Sequence, residues 1–420
     1  MQKIKLIFFF YILLILSCNS EDNDQQNNPT FEGNIKLTSQ QDVDDFGSNN
    51  YSTILGNLTI ADFDDGVHDI TDLSPLNSII SINGYLDVVF NENLSNINGL
   101  GNLTSIGSQI SFYNNDSLQN IDALSNITIV NGDLVFQDNS NLIDISGLNN
   151  IQEVSGGLYF VNNDELVNLN GISNLMSVGS ELFIHDNLNL TNIDSLNSLT
   201  IIGDALEIKN NDNIFNIDGL SNVTSIGNYI IIRENSSIEN IDGLTGLDTV
   251  NSYLTILTNE NLENIDGLIN VTNYMGGILI SQNTNLENIN GFANIQNITS
   301  SISINGSPLL SNVSGLSNLQ SVTGTFELAN NINLTDISSL SNLVSIGEHL
   351  SIGSTAISSL DGLQNLNSIG DRLMIDRNDN LVDYCALNNT LLNGGIAGNY
   401  EVFLNAYNPT LSELINGNCN

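Results

Sequence analysis

The stretch Ile238–Asn261, IENIDGLTGLDTVNSYLTILTNEN, decides the fold, because the chain repeats it with small changes every 24 residues. If its first residue is position 1, apolar residues recur at positions 1, 4, 7, 10, 13, 17 and 19, and turn-forming residues fill the gaps. The pattern begins at the following residues, with one step of 23 instead of 24: Ile70, Leu94, Leu118, Leu142, Leu166, Leu190, Ile214, Ile238, Leu262, Leu286, Leu310, Leu334, Ile357 and Leu381. A fixed period of this length indicates a solenoid, in which each turn packs on the next.

The L-x-I pair at positions 17 and 19 alternates with a period of two, as a short strand does. Such strands are not stable alone, so stacked turns about 4.8 Å apart would join them into one parallel sheet. Fourteen turns would then form a rod about 65 Å long. The predicted fold class is all-β, a parallel solenoid of about 14 turns that is capped at both ends.

Two rows of asparagine accompany the apolar rows. One is at position 22, as in Asn187, Asn211 and Asn235, and the other is at position 9, as in Asn174 and Asn222. A buried Asn side chain can satisfy both the N–H and the C=O groups that a tight corner leaves unpaired, and it can pair with the Asn of the next turn. Both rows are therefore predicted to be structural.

The motif L-x-I-x-x-N-x-x-L is similar to the core of the leucine-rich repeat, although two of its spacings are longer by one residue. Glycine just before the strand, as in Gly132-Asp133-Leu134, makes the pattern resemble the receptor L-domain more closely. That resemblance covers roughly residues 33–385. It implies a right-handed, leucine-rich-repeat-like β-helix that binds an extracellular ligand or partner.

The N-terminus has the features of an export signal. Lys3 and Lys5 precede an apolar run from residue 6 to 16, which is too short to span a bilayer. The end of this run, Ile-Leu-Ser-Cys18, resembles the lipobox of bacterial lipoproteins, which implies cleavage before Cys18 and acylation of that residue. The next residues, Ser-Glu-Asp, resemble the surface-export signal of Bacteroidetes lipoproteins. The alternative is an ordinary secretory signal with an incidental cysteine.

These patterns divide the chain into five parts. We predict a signal peptide at 1–17, a disordered acidic tether at 18–32, an N-terminal cap at 33–54, the repeat solenoid at 55–385 and a C-terminal cap at 386–420. Cys385 and Cys419 form an even pair in an exported protein, which predicts a disulfide that closes the C-terminal cap. The expected location is the outer membrane, facing outwards and held by the lipid anchor.

The charge balance is strongly acidic: 47 Asp and Glu stand against 7 Lys and Arg, for a net charge of −40. Loss of Lys3 and Lys5 with the signal would leave −42. Such a field repels the phosphates of nucleic acids, so no nucleic-acid partner is expected. We expect a monomer.

No catalytic constellation is apparent in the sequence. The three histidines, His68, His185 and His349, fall on distant turns, and no nucleophile–base pair, zinc spacing or phosphate loop appears. We therefore expect no catalytic residues and no enzyme activity. Parallel β-helix enzymes that act on polysaccharides exist, so such an enzyme remains the alternative.

Aspartate recurs at position 5 and occupies four consecutive turns, at Asp194, Asp218, Asp242 and Asp266. Carboxylates stacked at the strand spacing could hold Ca²⁺ through oxygen ligands. The other interpretation, which we favour, is that Asp before Gly suits a tight turn. The cofactor prediction is therefore none, with calcium as the alternative.

The outward-facing positions of the sheet, 18 and 20, are not constrained by the core and yet are not uniformly polar. We predict a ligand-binding face formed by Tyr113, Tyr159, Phe183, His185, Lys209 and Arg233. Exposed aromatic and basic residues on a sheet are typical of binding surfaces, although strand propensity alone also favours such side chains. The predicted function is a cell-surface binding or adhesion protein for an extracellular protein or glycan, and the alternative is a structural spacer without a ligand.

Overall fold

The computed structural model describes residues 29–62, 68–392 and 395–420. The predicted signal peptide, Cys18 and most of the predicted tether lie outside the described residues. No helix within the described ranges is long and apolar enough to cross a membrane.

A 16-stranded parallel sheet runs the length of the molecule. Each strand pairs with the strand one turn later in the chain, position for position, as Leu206–Lys209 does with Ile230–Arg233. The strands are Ile35–Leu37, Leu58–Ala61, Leu86–Val89, Ile110–Tyr113, Leu134–Gln137, Leu158–Val161, Leu182–His185, Leu206–Lys209, Ile230–Arg233, Leu254–Leu257, Ile278–Ser281, Ile302–Asn305, Phe326–Ala329, Leu350–Gly353, Leu373–Asp376 and Tyr400–Phe403. The predicted parallel solenoid is confirmed.

A second set of strands, each two residues long, ends at position 13 of each turn and forms three shorter parallel sheets. The four-stranded sheet contains Thr30–Phe31, Thr53–Ile54, Ser81–Ile82 and Ser105–Ile106. The five-stranded sheet contains Ile129–Val130, Glu153–Val154, Ser177–Val178, Ile201–Ile202 and Ser225–Ile226. The six-stranded sheet contains Thr249–Val250, Asn273–Tyr274, Asn297–Ile298, Ser321–Val322, Ser345–Ile346 and Ser368–Ile369. The expectation of a single sheet was therefore incomplete.

Short 3₁₀ helices form the remaining side of all turns but the one that begins at Ile357, and they start at position 5. They are Ser74–Leu76, Asn98–Leu100, Asp122–Leu124, Ser146–Leu148, Asn170–Ile172, Asp194–Ser198, Asp218–Leu220, Asp242–Leu244, Asp266–Leu268, Asn290–Phe292, Ser314–Leu316, Ser338–Asn342 and Cys385–Leu387. Successive helices pack so closely that a Cβ at Gly219 would lie 2.0 Å from the carbonyl oxygen of Ile193. The glycine that recurs after the aspartate is therefore required by close approach to the preceding turn.

The apolar rows fill a continuous core between the strands and the 3₁₀ helices, with one layer per turn. Phe112, Phe136 and Phe160 are fully buried, and their rings stack with centroids 5.3 and 5.4 Å apart. Each turn covers the apolar face of its neighbours, which is why the ends need caps.

The position-22 asparagines form a buried ladder at the corner after each long strand. The amide N–H of each Asn from Asn91 to Asn259 donates to the side-chain oxygen of the Asn one turn later. Ser307 and Thr355 replace Asn in two turns, and the buried hydroxyl of Ser307 has no hydrogen-bond partner among the described residues. The residue before each Asn, at position 21, has a positive φ, as at Glu234 (57°).

The position-9 asparagines are exposed, not buried, but each still has a structural hydrogen bond. Asn222 Nδ2, for example, donates to the carbonyl oxygen of Asn197 on the preceding turn at 2.7 Å. The same bond is present at Asn102, Asn126, Asn150, Asn174, Asn270, Asn294, Asn318, Asn342 and Asn365.

Helix α1, Gln40–Gly47, covers the N-terminal end of the core with Val43 and Phe46. It begins after Ser39, whose hydroxyl accepts a hydrogen bond from the Asp42 N–H, as an N-cap residue does. At the other end, α2 (Asn388–Leu392) and α3 (Leu411–Ile415) follow the last 3₁₀ helix. Cys385 and Cys419 are paired as a disulfide there, with Cα atoms 4.9 Å apart.

Candidate ligand-binding face

The outward face of the long sheet brings together five of the six predicted binding residues. Tyr159 and Phe183 are partners in neighbouring strands at position 18. His185, Lys209 and Arg233 are successive partners at position 20. The sequence pattern thus places an aromatic column and a basic column side by side on four consecutive strands.

Tyr113, the sixth predicted residue, lies apart from this cluster. Its strand is separated from that of Tyr159 by the strand Leu134–Gln137. The ring of Tyr113 packs edge-on against Phe90, with centroids 5.2 Å apart. It occupies the same face of the sheet but does not join the other five residues.

The aromatic column is held in place by contacts within the face. The rings of Tyr159 and Phe183 meet edge to face with centroids 5.4 Å apart, and Phe183 stacks on the imidazole of His185 at 5.0 Å. The Tyr159 hydroxyl donates to Glu181 Oε2 at 2.9 Å. Burial, together with this carboxylate, raises the pKa of the Tyr159 phenol, so the hydroxyl stays protonated as a donor.

Glu207 links the aromatic column to a second group of rings. Its Oε2 lies 3.1 Å from His185 Nε2, and its Oε1 accepts a hydrogen bond from the Tyr229 hydroxyl at 2.8 Å. Burial lowers the pKa of His185, although the charge of Glu207 opposes this effect. The ring of Tyr229 in turn stacks on Tyr253 at 4.6 Å.

Tyr229, Tyr253 and Glu181 occupy position 16, just before the strand, and the sequence analysis missed them. Side chains two residues apart along a strand face the same side. Extending the alternation of positions 18 and 20 back by one step would therefore have identified them.

A recess of about 340 Å³ lies beside this group, where Gly277 occupies position 16. Tyr253, Thr255, Leu279 and Ser303 line it. Tyr253 is 41% exposed and Leu279 is 36% exposed, so apolar surface is open to solvent there. A Cβ at Gly277 would meet nothing closer than 3.6 Å, so the recess exists because this turn has no side chain at that position.

Lys209 and Arg233 are unusual in so acidic a chain. Among the described residues, neither lies within ion-pair distance of a carboxylate, whereas Arg372 and Arg377 pair with Glu401 and Asp376. The two cations are neighbours on paired strands. Two cations are thus brought together on a molecule whose total charge is −40.

The aspartate row at position 5 does not form a compact ligand set in the structure. In the parts of the chain that the structure describes, the one group of three potential metal ligands is Asp383, Cys385 and Cys419, and its cysteines are disulfide-bonded. Burial raises the pKa of the Asp218 carboxyl group, and the negative charges of Asp242 and Asp194 raise it further. Each of the four aspartates begins a 3₁₀ helix, which agrees with the turn interpretation.

The three histidines lie on separate turns, and each is beside a carboxylate of the following turn. His68 Nε2 lies 3.9 Å from Glu92, and His349 Nδ1 lies 3.5 Å from Asp371. Each histidine thus has its own carboxylate neighbour, and the sequence separations of 117 and 164 residues keep the histidines several turns apart. The structure does not assemble them into one site.

The family model for the BspA type leucine rich repeat region, in 6 copies, matches residues 63–189 and 179–307. Together these matches span more than half of the chain. The chain belongs to the BspA-type leucine-rich repeat family. The expected resemblance to leucine-rich repeats is thereby confirmed.

Among solved structures, this BspA-type chain is similar to an internalin from Listeria monocytogenes strain 4b F2365. The two sequences are 17% identical, the match covers 89% of this chain and 86% of the internalin, and the TM-score is 0.36. No curated protein sequence matches this BspA-type chain significantly.

Proposed function

We propose that this leucine-rich repeat protein is a lipid-anchored surface protein that recognises an extracellular partner through the outward face of its long sheet. One observation supports this most directly: an acidic chain places clustered aromatic rings, an apolar recess and two unpaired cations on one face. Large aromatic residues and arginine contribute most strongly to protein interfaces.

A protein partner is favoured over a glycan by the way the rings are arranged. Phe183 and Tyr229 already stack on neighbours within the face, so the flat ring surfaces on which sugars bind are partly covered. What remains open is the recess next to Tyr253, together with Lys209 and Arg233. A partner that inserts an apolar side chain into the recess and presents a carboxylate to the cations would complement both features.

The test is binding of the mature chain, made soluble by Cys18→Ser, to protein and glycan arrays, followed by measured affinities for any partner found. In Phe183→Ala and Arg233→Ala, loss of an anchor at the centre of an interface would weaken binding by about tenfold or more. Phe215→Ala is the matched control, because Phe215 is 55% exposed but lies outside the sheet strands. Unchanged affinity in the folded face variants would remove this face as the binding site.

A second variant tests the role of the recess in binding without changing the stability of the fold. Gly277→Leu fills the recess, and the backbone tolerates it because no atom lies within 3.6 Å of the new Cβ. We expect unchanged thermal stability and a loss of partner binding. If neither array yields a partner, the result favours a spacer without a ligand. If a glycan alone binds, the choice of a protein partner is wrong.

The anchor and the location are proposed from the N-terminal motif that ends at Cys18. Radiolabelled palmitate incorporated by the wild-type chain and absent from Cys18→Ser would support acylation. Protease treatment of intact cells then tests exposure, because a chain that faces outwards is degraded while the cells remain sealed.

A further inference from the structure

The C-terminal end of the long sheet is an open edge. Tyr400–Phe403 is its last strand and, among the described residues, pairs with Leu373–Asp376 alone. In a parallel ladder, alternate residues direct their backbone groups to opposite sides. Because the N–H groups of Leu373 and Arg377 donate to the carbonyls of Asn399 and Phe403, the backbone groups of the intervening residues point away from the sheet.

The residues that point outwards are Tyr400, Val402 and Leu404. Among the described residues, their N–H groups have no hydrogen-bond acceptor. Equivalent residues in other turns donate to the next strand, as Leu350 and Ser354 do. An uncovered row of this kind is a template for pairing with another strand.

The side chains around this edge favour association. The sequence YEVFL from Tyr400 to Leu404 is rich in β-branched and aromatic residues and contains neither Pro nor Lys, which proteins use to block edges. Phe403 is 37% and Leu404 is 61% exposed. The same cap exposes Leu392 on α2, and Leu411 and Ile415 on α3.

The electrostatics at this end differ from those of the rest of the molecule. A net charge of −40 opposes self-association. Beside the edge, however, Arg372 pairs with Glu401 and Arg377 pairs with Asp376, so two of the seven cations neutralise the nearest carboxylates. Repulsion between two copies is therefore weaker at this edge than the net charge of the whole chain implies.

The N-terminal end of the sheet has the opposite character. Its edge strand, Ile35–Leu37, contains Lys36, and helix α1 beside it carries Asp42, Asp44 and Asp45. Lysine in an edge strand hinders pairing. A head-to-tail filament would have to join this polar end to the apolar one, whereas a tail-to-tail contact joins two apolar ends.

We propose that two copies of this chain associate tail to tail through the strand Tyr400–Phe403, which continues the sheet across a two-fold axis. With antiparallel strands centred on Val402, the two Val402 residues exchange N–H···O=C bonds, and the Leu404 N–H donates to the Tyr400 carbonyl of the second copy. Phe403 then lies opposite Glu401 of the second copy. The same surface is used on both sides, so the assembly closes at a dimer. This departs from the monomer that we expected from the sequence.

The experiment is sedimentation velocity on the mature chain with Cys18→Ser, over a concentration series and at low and high salt. We expect a monomer–dimer equilibrium that shifts towards the dimer at high salt, because salt screens the repulsion between the acidic chains. In Phe403→Lys/Leu404→Lys, the dissociation constant should rise about tenfold or more, because lysines at an edge oppose pairing. Ile143→Lys/Phe215→Lys makes the same charge change on exposed residues far from the edge and should leave the equilibrium unchanged.

Amide hydrogen exchange locates the contact. The N–H groups of Tyr400, Val402 and Leu404 should exchange more slowly in the dimer than in the Phe403→Lys/Leu404→Lys monomer. Three results would overturn the proposal: a monomer at every concentration and salt, a dimer that persists in the edge variant, or a dimer without protection at these amides. A monomer that captures an extended peptide at this edge would show that the occupant is not a second copy.

Discussion

The substitution Asn211→Ala tests the buried ladder most directly. Asn211 is fully buried. Its Nδ2 donates to the carbonyl oxygens of Ile184 and Lys209 at 2.7 and 2.8 Å. Its Oδ1 accepts a hydrogen bond from the backbone N–H of Asn187 at 3.1 Å. Alanine leaves that N–H buried without an acceptor, which costs roughly 1–3 kcal/mol, and loss of the two donated bonds adds roughly 1 kcal/mol. We expect a total loss of about 3 kcal/mol in the free energy of unfolding.

The matched control is Asn222→Ala, which makes the same chemical change in the next turn. Asn222 is exposed and makes one side-chain bond, to the carbonyl of Asn197, so water can replace that bond and the loss should stay below about 1 kcal/mol.

The assay is equilibrium unfolding in urea, with both variants made in the mature Cys18→Ser chain. Because repeat proteins can unfold in segments, amide hydrogen exchange should accompany it. Asn211→Ala should speed exchange most in the turns next to residue 211. If it costs no more than Asn222→Ala, the argument that the buried ladder stabilises the corners is refuted.

Three further outcomes follow from other parts of the molecule. Ser307→Asn should stabilise the chain by about 1 kcal/mol, because an amide oxygen there would reach the N–H of Asn283; an unchanged or lower melting temperature would contradict this. Cys385→Ser/Cys419→Ser removes a cross-link between residues 34 apart and should cost roughly 3–4 kcal/mol, measured as a fall in urea resistance at the C-terminal cap. Burial lowers the pKa of His185 below its usual 6.5. The neutral histidine therefore contributes to the free energy of unfolding above pH 6.5, and this contribution is lost as the pH falls through the folded-state pKa. An NMR titration of His185 with a midpoint above 6.5 would disprove this.

The repeat could be predicted from the sequence because its signals are strong and regular. The apolar rows and the Asn row each recur once per turn, and a 24-residue period with a two-residue alternation leaves few alternatives to stacked parallel strands. The pairing in the structure, as between Leu206–Lys209 and Ile230–Arg233, follows that period in register.

Other features of the fold have no clear local signal. A strand of two residues, such as Ser225–Ile226, cannot be distinguished from a loop by periodicity. At the corner with positive φ, Asn and Asp in several turns, such as Asn114 and Asp138, suit that conformation, but Phe90, Glu234 and Thr258 occupy the same corner and do not favour it. Their backbone is held by the buried asparagine that follows, which is a tertiary effect.

The candidate binding face was predicted in part for a similar reason. Sequence alternation placed Phe183 beside Tyr159 and Arg233 beside Lys209 on the outward face, but it could not show that Glu207 joins His185 to Tyr229. Contacts between positions 16, 18 and 20 depend on how the side chains of neighbouring turns are directed. The pattern of a single repeat unit carries no information about those directions.

The stacked turns also determine how the molecule would respond to a pulling force. If the N-terminus is fixed and a partner pulls on the face around Phe183, tension along the axis loads the turns in series, so they would peel apart one at a time. Each step must break the sheet bonds of a single turn together with the hydrogen bonds of the asparagine ladder at that turn. The Cys385–Cys419 disulfide lies beyond the loaded segment, so it would bear none of this force, and the mechanical strength of the attachment would depend on the noncovalent turns alone.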